Sequence, residues 1–432
     1  MHKAKVAVHE PEDDHNGTTE VYDSGPNEQY RITEGERTKI SRQISEIFGP
    51  IFKTMKLTGG YFGETTLTKS RLPRKFYISF YYCLIIELGQ WLLALIGMTT
   101  HFYEGFSTMT TFLYLFANTI WYVQCACSFT FCLLMLPLTQ KKQSRFGQFT
   151  ASLVNSKTVL DGLKQKALKG LTIAILVSII NSVVIGLLAF HYNGLISTFK
   201  PWNRHLAIRI IETFFGIVNS FAWNFPVLVF CVTCLVLEIM FDNLKTKVPL
   251  FSIAQLRQEH LRLCELVELA NRVFSPLMFV IISLDIPLIC VNVYQLIKST
   301  KNWSKDTDVI VVISHLYWAV WTFCLIALLC TFGNKVNKKA HSFHEILQKG
   351  QISPDWSIQE TSEVRDVHYG WFHMQCQSGA NAAIQRSKLM LLLAHVQGDD
   401  IGLTVGGLAV INKSFFLAVS LITCLLTWED GK

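Results

Sequence analysis

Residues 76–98 read FYISFYYCLIIELGQWLLALIGM, with Glu87 as their lone formal charge. About 20 apolar residues carry a helix across a hydrocarbon core of ~30 Å, so this stretch is long enough to span a membrane. Lys69, Arg71, Arg74 and Lys75 precede it, and residues 99–108 after it hold no Lys or Arg. Basic flanks are retained on the cytoplasmic side, which makes this span run from inside to outside. Six further apolar stretches follow at 109–137, 171–190, 209–240, 273–297, 309–332 and 401–428. The segments 56–75, 138–170, 241–272 and 333–400 hold 5, 7, 5 and 7 Lys plus Arg, or 24 together. The segments on the other side hold 6. The pattern predicts an all-α membrane protein of seven transmembrane helices, with the N-terminus cytoplasmic and the C-terminus extracellular. A G-protein-coupled receptor has the opposite orientation and is excluded.

Composition agrees. Half of the 432 residues are hydrophobic and 16% are charged, and the mean hydropathy is +0.31. A soluble chain of this length needs more surface charge. The net charge of +7 sits in the inside loops, where membrane lipid headgroups are its partner; nucleic acid is not. No signal peptide precedes the first span. Ten of the twelve cysteines fall in expected spans, and Cys264 and Cys376 in cytoplasmic segments, so neither a disulfide framework nor a metal site is expected. Asn302-Trp303-Ser304, in a short loop assigned to the outside, is a glycosylation acceptor at Asn302. No phosphate-binding loop, zinc-protease motif or nucleophile elbow occurs, so no enzyme and no cofactor are expected.

Five regions follow. Residues 1–39 are polar and read as a disordered cytoplasmic tail. Residues 40–75 form an amphipathic helix and basic linker, because Ile40, Ile44, Ile47, Phe48, Ile51 and Phe52 recur every three or four positions. Residues 76–332 make a six-helix transmembrane bundle that binds ligand. Residues 333–400 hold a looser linker and an apolar anchor helix at 379–397, and residues 401–432 hold the seventh span. No helix breaker closes the fourth span at Ile239, Met240 and Phe241, and 251–270 repeats an apolar face; long helices are expected to bundle beneath the membrane.

At the last span, Gly407 begins a run LAVI that leads to Asn412, Lys413, Ser414, Phe415, Phe416 and Leu417. With the inside N-terminus and the cytoplasmic helix before the final span, this resembles the insect gustatory and odorant receptor superfamily, closest to its gustatory-receptor-like invertebrate branch. The family's Thr-Tyr pair is absent: Leu425 and Leu426 stand there, and the chain ends Thr427-Trp428-Glu429-Asp430-Gly431-Lys432. The resemblance implies a homotetramer around a pore formed by the last helix, with a cytoplasmic helical anchor joining subunits. It implies a plasma-membrane, ligand-gated, non-selective cation channel of chemosensory type. Its partners would be a small-molecule ligand, lipid, and further copies of itself or related subunits. The alternatives are a non-conducting homologue or a secondary transporter, though no internal repeat of the transporter kind is found.

In that frame Asn412, Lys413 and Ser414 line the inner vestibule, Leu421, Leu425 and Leu426 form an apolar gate, and Glu429 and Asp430 form an acidic outer mouth. Read without the frame, the same helix is packed by Gly402, Gly406 and Gly407, with solvated acids at its end. Ionisable residues inside spans are costly. Asp285 is the deepest, followed by Glu87, Glu212 and His315. The outer halves of spans two to six are rich in aromatic and amide side chains, Asn118 and Trp121 among them. The expected pocket set is Tyr122, Asn219, Trp223, Asp285, Tyr294, Gln295, Tyr317, Trp318 and Trp321. Aromatic belts at membrane interfaces explain many of these equally well, but Trp223 and Trp321 lie too deep for that.

Overall fold

The computed structural model describes residues 34–63, 73–104, 109–137, 144–154, 160, 162–191, 206–247, 253–301, 309–349, 403–405 and 409–410. The expected sites at Asn302 and at Asn412 through Asp430, the anchor helix 379–397 and residues 1–33 lie outside these. Eight helices follow in order: α1 (Glu34–Leu57), α2 (Pro73–Glu104), α3 (Met109–Met135), α4 (Arg145–Val154), α5 (Leu163–His191), α6 (Leu206–Lys247), α7 (Ile253–Lys301) and α8 (Val309–Lys349). Two-residue strands β1 (Thr404–Val405) and β2 (Ala409–Val410) come last. Among the described residues six helices are long and apolar enough to cross a membrane, over Tyr77–Ile96, Phe116–Met135, Leu163–Leu188, Ile210–Lys247, Gln255–Lys298 and Val312–Ser342. The chain is a multi-pass membrane protein.

Side-chain exposure fits a lipid surround. Ile78, Tyr81, Ile85, Leu88, Leu92 and Leu95 make an exposed row on α2, and Ile173, Leu176, Ile180, Val183 and Leu187 make one on α5. Each row follows the helical repeat, and rows this long are rare on proteins that face water. Helix α6 is the hub: 83% of its apolar segment is buried, against 28% in α5. It touches α3, α5, α7 and α8. The contact with α2 is equally close at one point, since a Cβ on Gly89 would stand 2.3 Å from Phe215 Cζ of α6.

Three helices outrun the bilayer. Helices α6, α7 and α8 have 42, 49 and 41 residues, about 63, 74 and 62 Å at 1.5 Å per residue. The amphipathic stretch, from Ile253 on, and the fifth span are one uninterrupted helix. Where a looser linker was expected from 333, α8 continues to Lys349; no Gly or Pro stands between Asn334 and Lys349 to stop it.

Beneath the membrane segments lies a second core. Helix α1 starts at Glu34, inside the expected disordered tail, because Glu34 and Glu36 in its first turn suit the helix dipole. Ile40, Ile44, Ile47, Phe48, Ile51 and Phe52 are all buried, each worth about 1.5–3 kcal/mol. They pack on protein: Phe48 and Phe52 meet Phe146 of α4 edge to face at 5.4 and 5.8 Å, and Phe52 stacks on Tyr61 at 4.4 Å. The helix ends in a Schellman turn, with Gly60 N donating to Met55 O at 2.9 Å and Gly59 at φ 80°. Glu46 ties α1 to α5 through Lys164 at 3.2 Å. The Lys164 ammonium and the Arg42 guanidinium hold the Glu46 carboxyl below its usual range. A depressed folded pKa means that this tie is complete at neutral pH and fades as pH falls through that pKa.

Helix α4 is capped by Ser144, whose Oγ accepts from Gly147 N at 2.9 Å. Its Arg145 Nη1 donates to the backbone carbonyl of Arg272 at 3.1 Å. That carbonyl has no helical partner, because Pro276, four residues on, has no N–H. At the residue before Arg272, Asn271 Oδ1 accepts from Thr404 N at 2.8 Å and Thr404 Oγ1 at 3.0 Å, fixing β1 against α7. Strands β1 and β2 pair antiparallel, Thr404 with Val410 and Val405 with Ala409. This corrects the start of the seventh stretch, expected to be helical from 401. The β-branched Thr404, Val405 and Val410 favour extended backbone.

Candidate functional site

Side chains from α3, α5, α6, α7 and α8 enclose a cavity at the end of the bundle away from α1 and α4. The first half of α3 gives Ala117, Asn118, Trp121 and Tyr122, and the last turns of α5 give Ile185 and Leu188. Trp223 comes from α6, Leu288 and Asn292 from successive turns of α7, and His315 and Trp318 from the start of α8. The enclosed part has a cavity volume of about 30 Å³, and the 540 Å³ counted out through its open side includes the space beyond the mouth. Trp121 and Trp223 meet edge to face at 6.3 Å, and Trp121 lies tilted on Tyr122 at 5.4 Å, so the inner wall is aromatic.

The polar groups of the cavity divide into two sets. On one wall Asn292 Nδ2 donates to Leu288 O at 2.8 Å, which turns Asn292 Oδ1 toward His315 Nδ1 at 2.9 Å. His315 Nδ1 therefore carries the proton of this bond. On the facing wall, Asn118 Nδ2 and Trp121 Nε1 have no hydrogen-bond partner among the described residues. Apolar walls with a few convergent polar groups are the usual build of a small-molecule site.

Beneath the cavity lies Asp285, one turn along α7 from Leu288 and fully buried. Its Oδ1 accepts from Gln124 Nε2 of α3 at 2.9 Å. Asn181 of α5 does not serve it. Asn181 belongs instead to a polar seam that joins α5, α6 and α8. There Asn181 Nδ2 donates to Ser220 Oγ at 2.8 Å, and Asn224 Nδ2 donates to Ser178 Oγ at 3.0 Å. Two indoles close the seam: Trp318 Nε1 donates to Asn181 Oδ1 and Trp321 Nε1 to Asn224 Oδ1, each at 3.0 Å.

Of the nine residues expected in the pocket, Tyr122, Trp223 and Trp318 line this cavity and Asp285 underlies it. Trp321 is taken up by the seam, and Tyr317 OH reaches the Val177 carbonyl of α5 at 3.5 Å. Asn219 is buried where its carbonyl faces Cys125 Sγ at 3.6 Å. Tyr294 and Gln295 stand beyond Asn292 on α7 and do not line the cavity. Glu212 and His315, singled out as ionisable residues inside spans, are buried at 1% and 4% exposure. Glu87 is buried as well, accepting from Trp91 Nε1 at 2.7 Å and from Thr130 Oγ1. Sequence reasoning left Asn118, Trp121, Asn292 and His315 out of the pocket set. The spacing of Asn118, Trp121 and Tyr122, on one face of α3, was the available signal. Ala117, Ile185, Leu188 and Leu288 give no signal of their own.

Fold and cavity together define a multi-pass helical membrane protein with an aromatic-walled cleft inside its bundle. Residues 43–361 match the family described as 7tm chemosensory receptor, and the chain belongs to that family, which is not an enzyme class. The structure resembles the insect olfactory receptor OR5 from Machilis hrabei in complex with eugenol, with a TM-score of 0.61 and 12% identity. That match covers 91% of this chain and 98% of the receptor. A second structure of the same receptor gives a TM-score of 0.56 at the same identity and coverage. At such identity the likeness is one of fold, and it agrees with the insect odorant and gustatory receptor superfamily indicated by the sequence. No curated protein matches the chain by sequence.

Proposed function

We propose that this chain is a chemosensory, ligand-gated, non-selective cation channel of the plasma membrane, assembled from four copies. The cavity bounded by Trp121, Trp223, Asn292 and Trp318 is the observation that carries the reading. A receptor with this fold has been solved with eugenol, and here a cleft lies among the bundle helices with unpartnered polar groups in its wall. A small molecule bound there would shift α7 and α8, which run from the cavity to the far end of the bundle. The last stretch would respond as the pore helix, with Asn412, Lys413 and Ser414 in the inner vestibule. Leu421, Leu425 and Leu426 would form the constriction, which opens by wetting, and Glu429 and Asp430 would concentrate cations at the mouth.

The test is whole-cell recording from cells with the protein at their surface, challenged with eugenol and a panel of neutral odorants. A reversible, weakly selective inward cation current is expected. Absence of current across the panel, with surface expression verified, would remove the channel reading.

A further inference from the structure

The cavity also specifies the chemistry of its ligand. We infer that it takes a neutral, mainly apolar aromatic molecule bearing one or two oxygen acceptors, and that Trp121 and Asn118 are the donors that read those oxygens. The inference rests on the cavity being the ligand site.

Charge is the first filter. No described side chain lining the cavity is Asp, Glu, Lys or Arg. An ammonium or carboxylate ligand would leave water for a site without a counter-charge. The balance of polar groups is the second. His315 and Asn292 bond to one another at 2.9 Å, and Trp318 Nε1 is engaged by Asn181. Trp223 Nε1, also in the wall, is turned to the buried Asp285 carboxyl beneath; Asn118 Nδ2 and Trp121 Nε1 are the other N–H donors of the wall, buried or half-buried and without a partner among the described residues. A buried donor is satisfied by an acceptor, so the ligand supplies a carbonyl, ether or ester oxygen. A sugar presents more hydroxyls than these groups can pair, and the remainder would be buried unmade.

Shape is the third filter. Trp121, Tyr122 and Trp223 meet at 5.4 and 6.3 Å in tilted and edge-to-face arrangements. A ring inserted against them continues the same packing, and an aromatic contact adds to the area it buries.

Matched probes test this on the purified full chain in lipid nanodiscs, by titration calorimetry with acetophenone, ethylbenzene and sucrose. Acetophenone and ethylbenzene have similar size and one ring, but only the first has an acceptor oxygen. We expect acetophenone to bind more tightly than ethylbenzene and sucrose not to bind. Trp121→Phe keeps a ring and removes the N–H; it should weaken acetophenone about tenfold, the worth of one hydrogen bond, and leave ethylbenzene unchanged. Asn118→Leu, near in volume, should do the same and decides the question if Trp121→Phe does not fold. Equal affinity of the two aromatic probes overturns the inference, as do equal losses for both in the variants, measurable sucrose binding, or no binding at all. Calorimetry needs no current, so a chain that binds acetophenone selectively but never conducts would refute the channel reading alone.

Discussion

Asp285 illustrates how a single costly residue is made tolerable. A carboxyl at full burial keeps its place because Gln124 donates to it from the neighbouring helix, 161 positions away in sequence. Asparagine at 285 retains an acceptor for Gln124, whereas leucine leaves the Gln124 amide buried without it, at a cost of ~1–3 kcal/mol. Asp285→Asn should therefore reach the cell surface at near wild-type level and Asp285→Leu should not, as surface biotinylation would show. Gly59 invites a similar comparison. It sits at φ 80°, and a Cβ there would stand 2.9 Å from Ile86 Cγ1 of α2. Gly59→Ala combines left-handed strain of about 1 kcal/mol with a clash and should lower the melting temperature by several degrees. Residue type was a partial guide at this scale. It picked out Tyr122, Trp223 and Trp318, which line the cavity, but also Trp321 and Asn219, which do not. Helix α6 is buried on nearly every side, so its periodicity does not say which neighbour a given side chain meets.

Among the elements, α7 has the largest number of roles. Its outer part carries Leu288 and Asn292 in the cavity wall, and its inner part holds β1 through Asn271. Removing that amide frees Thr404 of two hydrogen bonds, so Asn271→Ala should raise proteolytic cleavage near residues 403–410 while leaving ligand affinity unchanged. The continuity of this helix was legible in part, because 251–270 repeats an apolar face and no glycine separates it from the fifth span. The β1–β2 hairpin was not. Apolar residues between Gly402 and Gly407 suit a strand as well as a membrane helix, and composition alone does not choose between them.

For the whole molecule, the six apolar segments were readable because each is an average over many residues. The assembly is a different matter, since it depends on surfaces that one chain does not bring together. Single-particle images of the nanodisc-embedded protein are expected to show four-fold symmetry; a monomer or a two-fold dimer would sink the tetramer. Within such an assembly, Leu425→Ala should open the constriction and give a standing leak without ligand. Unchanged basal current would count against Leu425 as the gate.

The lengths of α6, α7 and α8 have a practical outcome. A lipid or detergent belt covers only ~30 Å of helices that run twice that distance, so the lower core of α1, α4 and the long helices stays bare after solubilisation. That bare base is rigidly continuous with the transmembrane bundle. It gives the particle an asymmetric profile outside the micelle, by which images can be aligned, and a face on which an antibody fragment can be raised without competing with lipid.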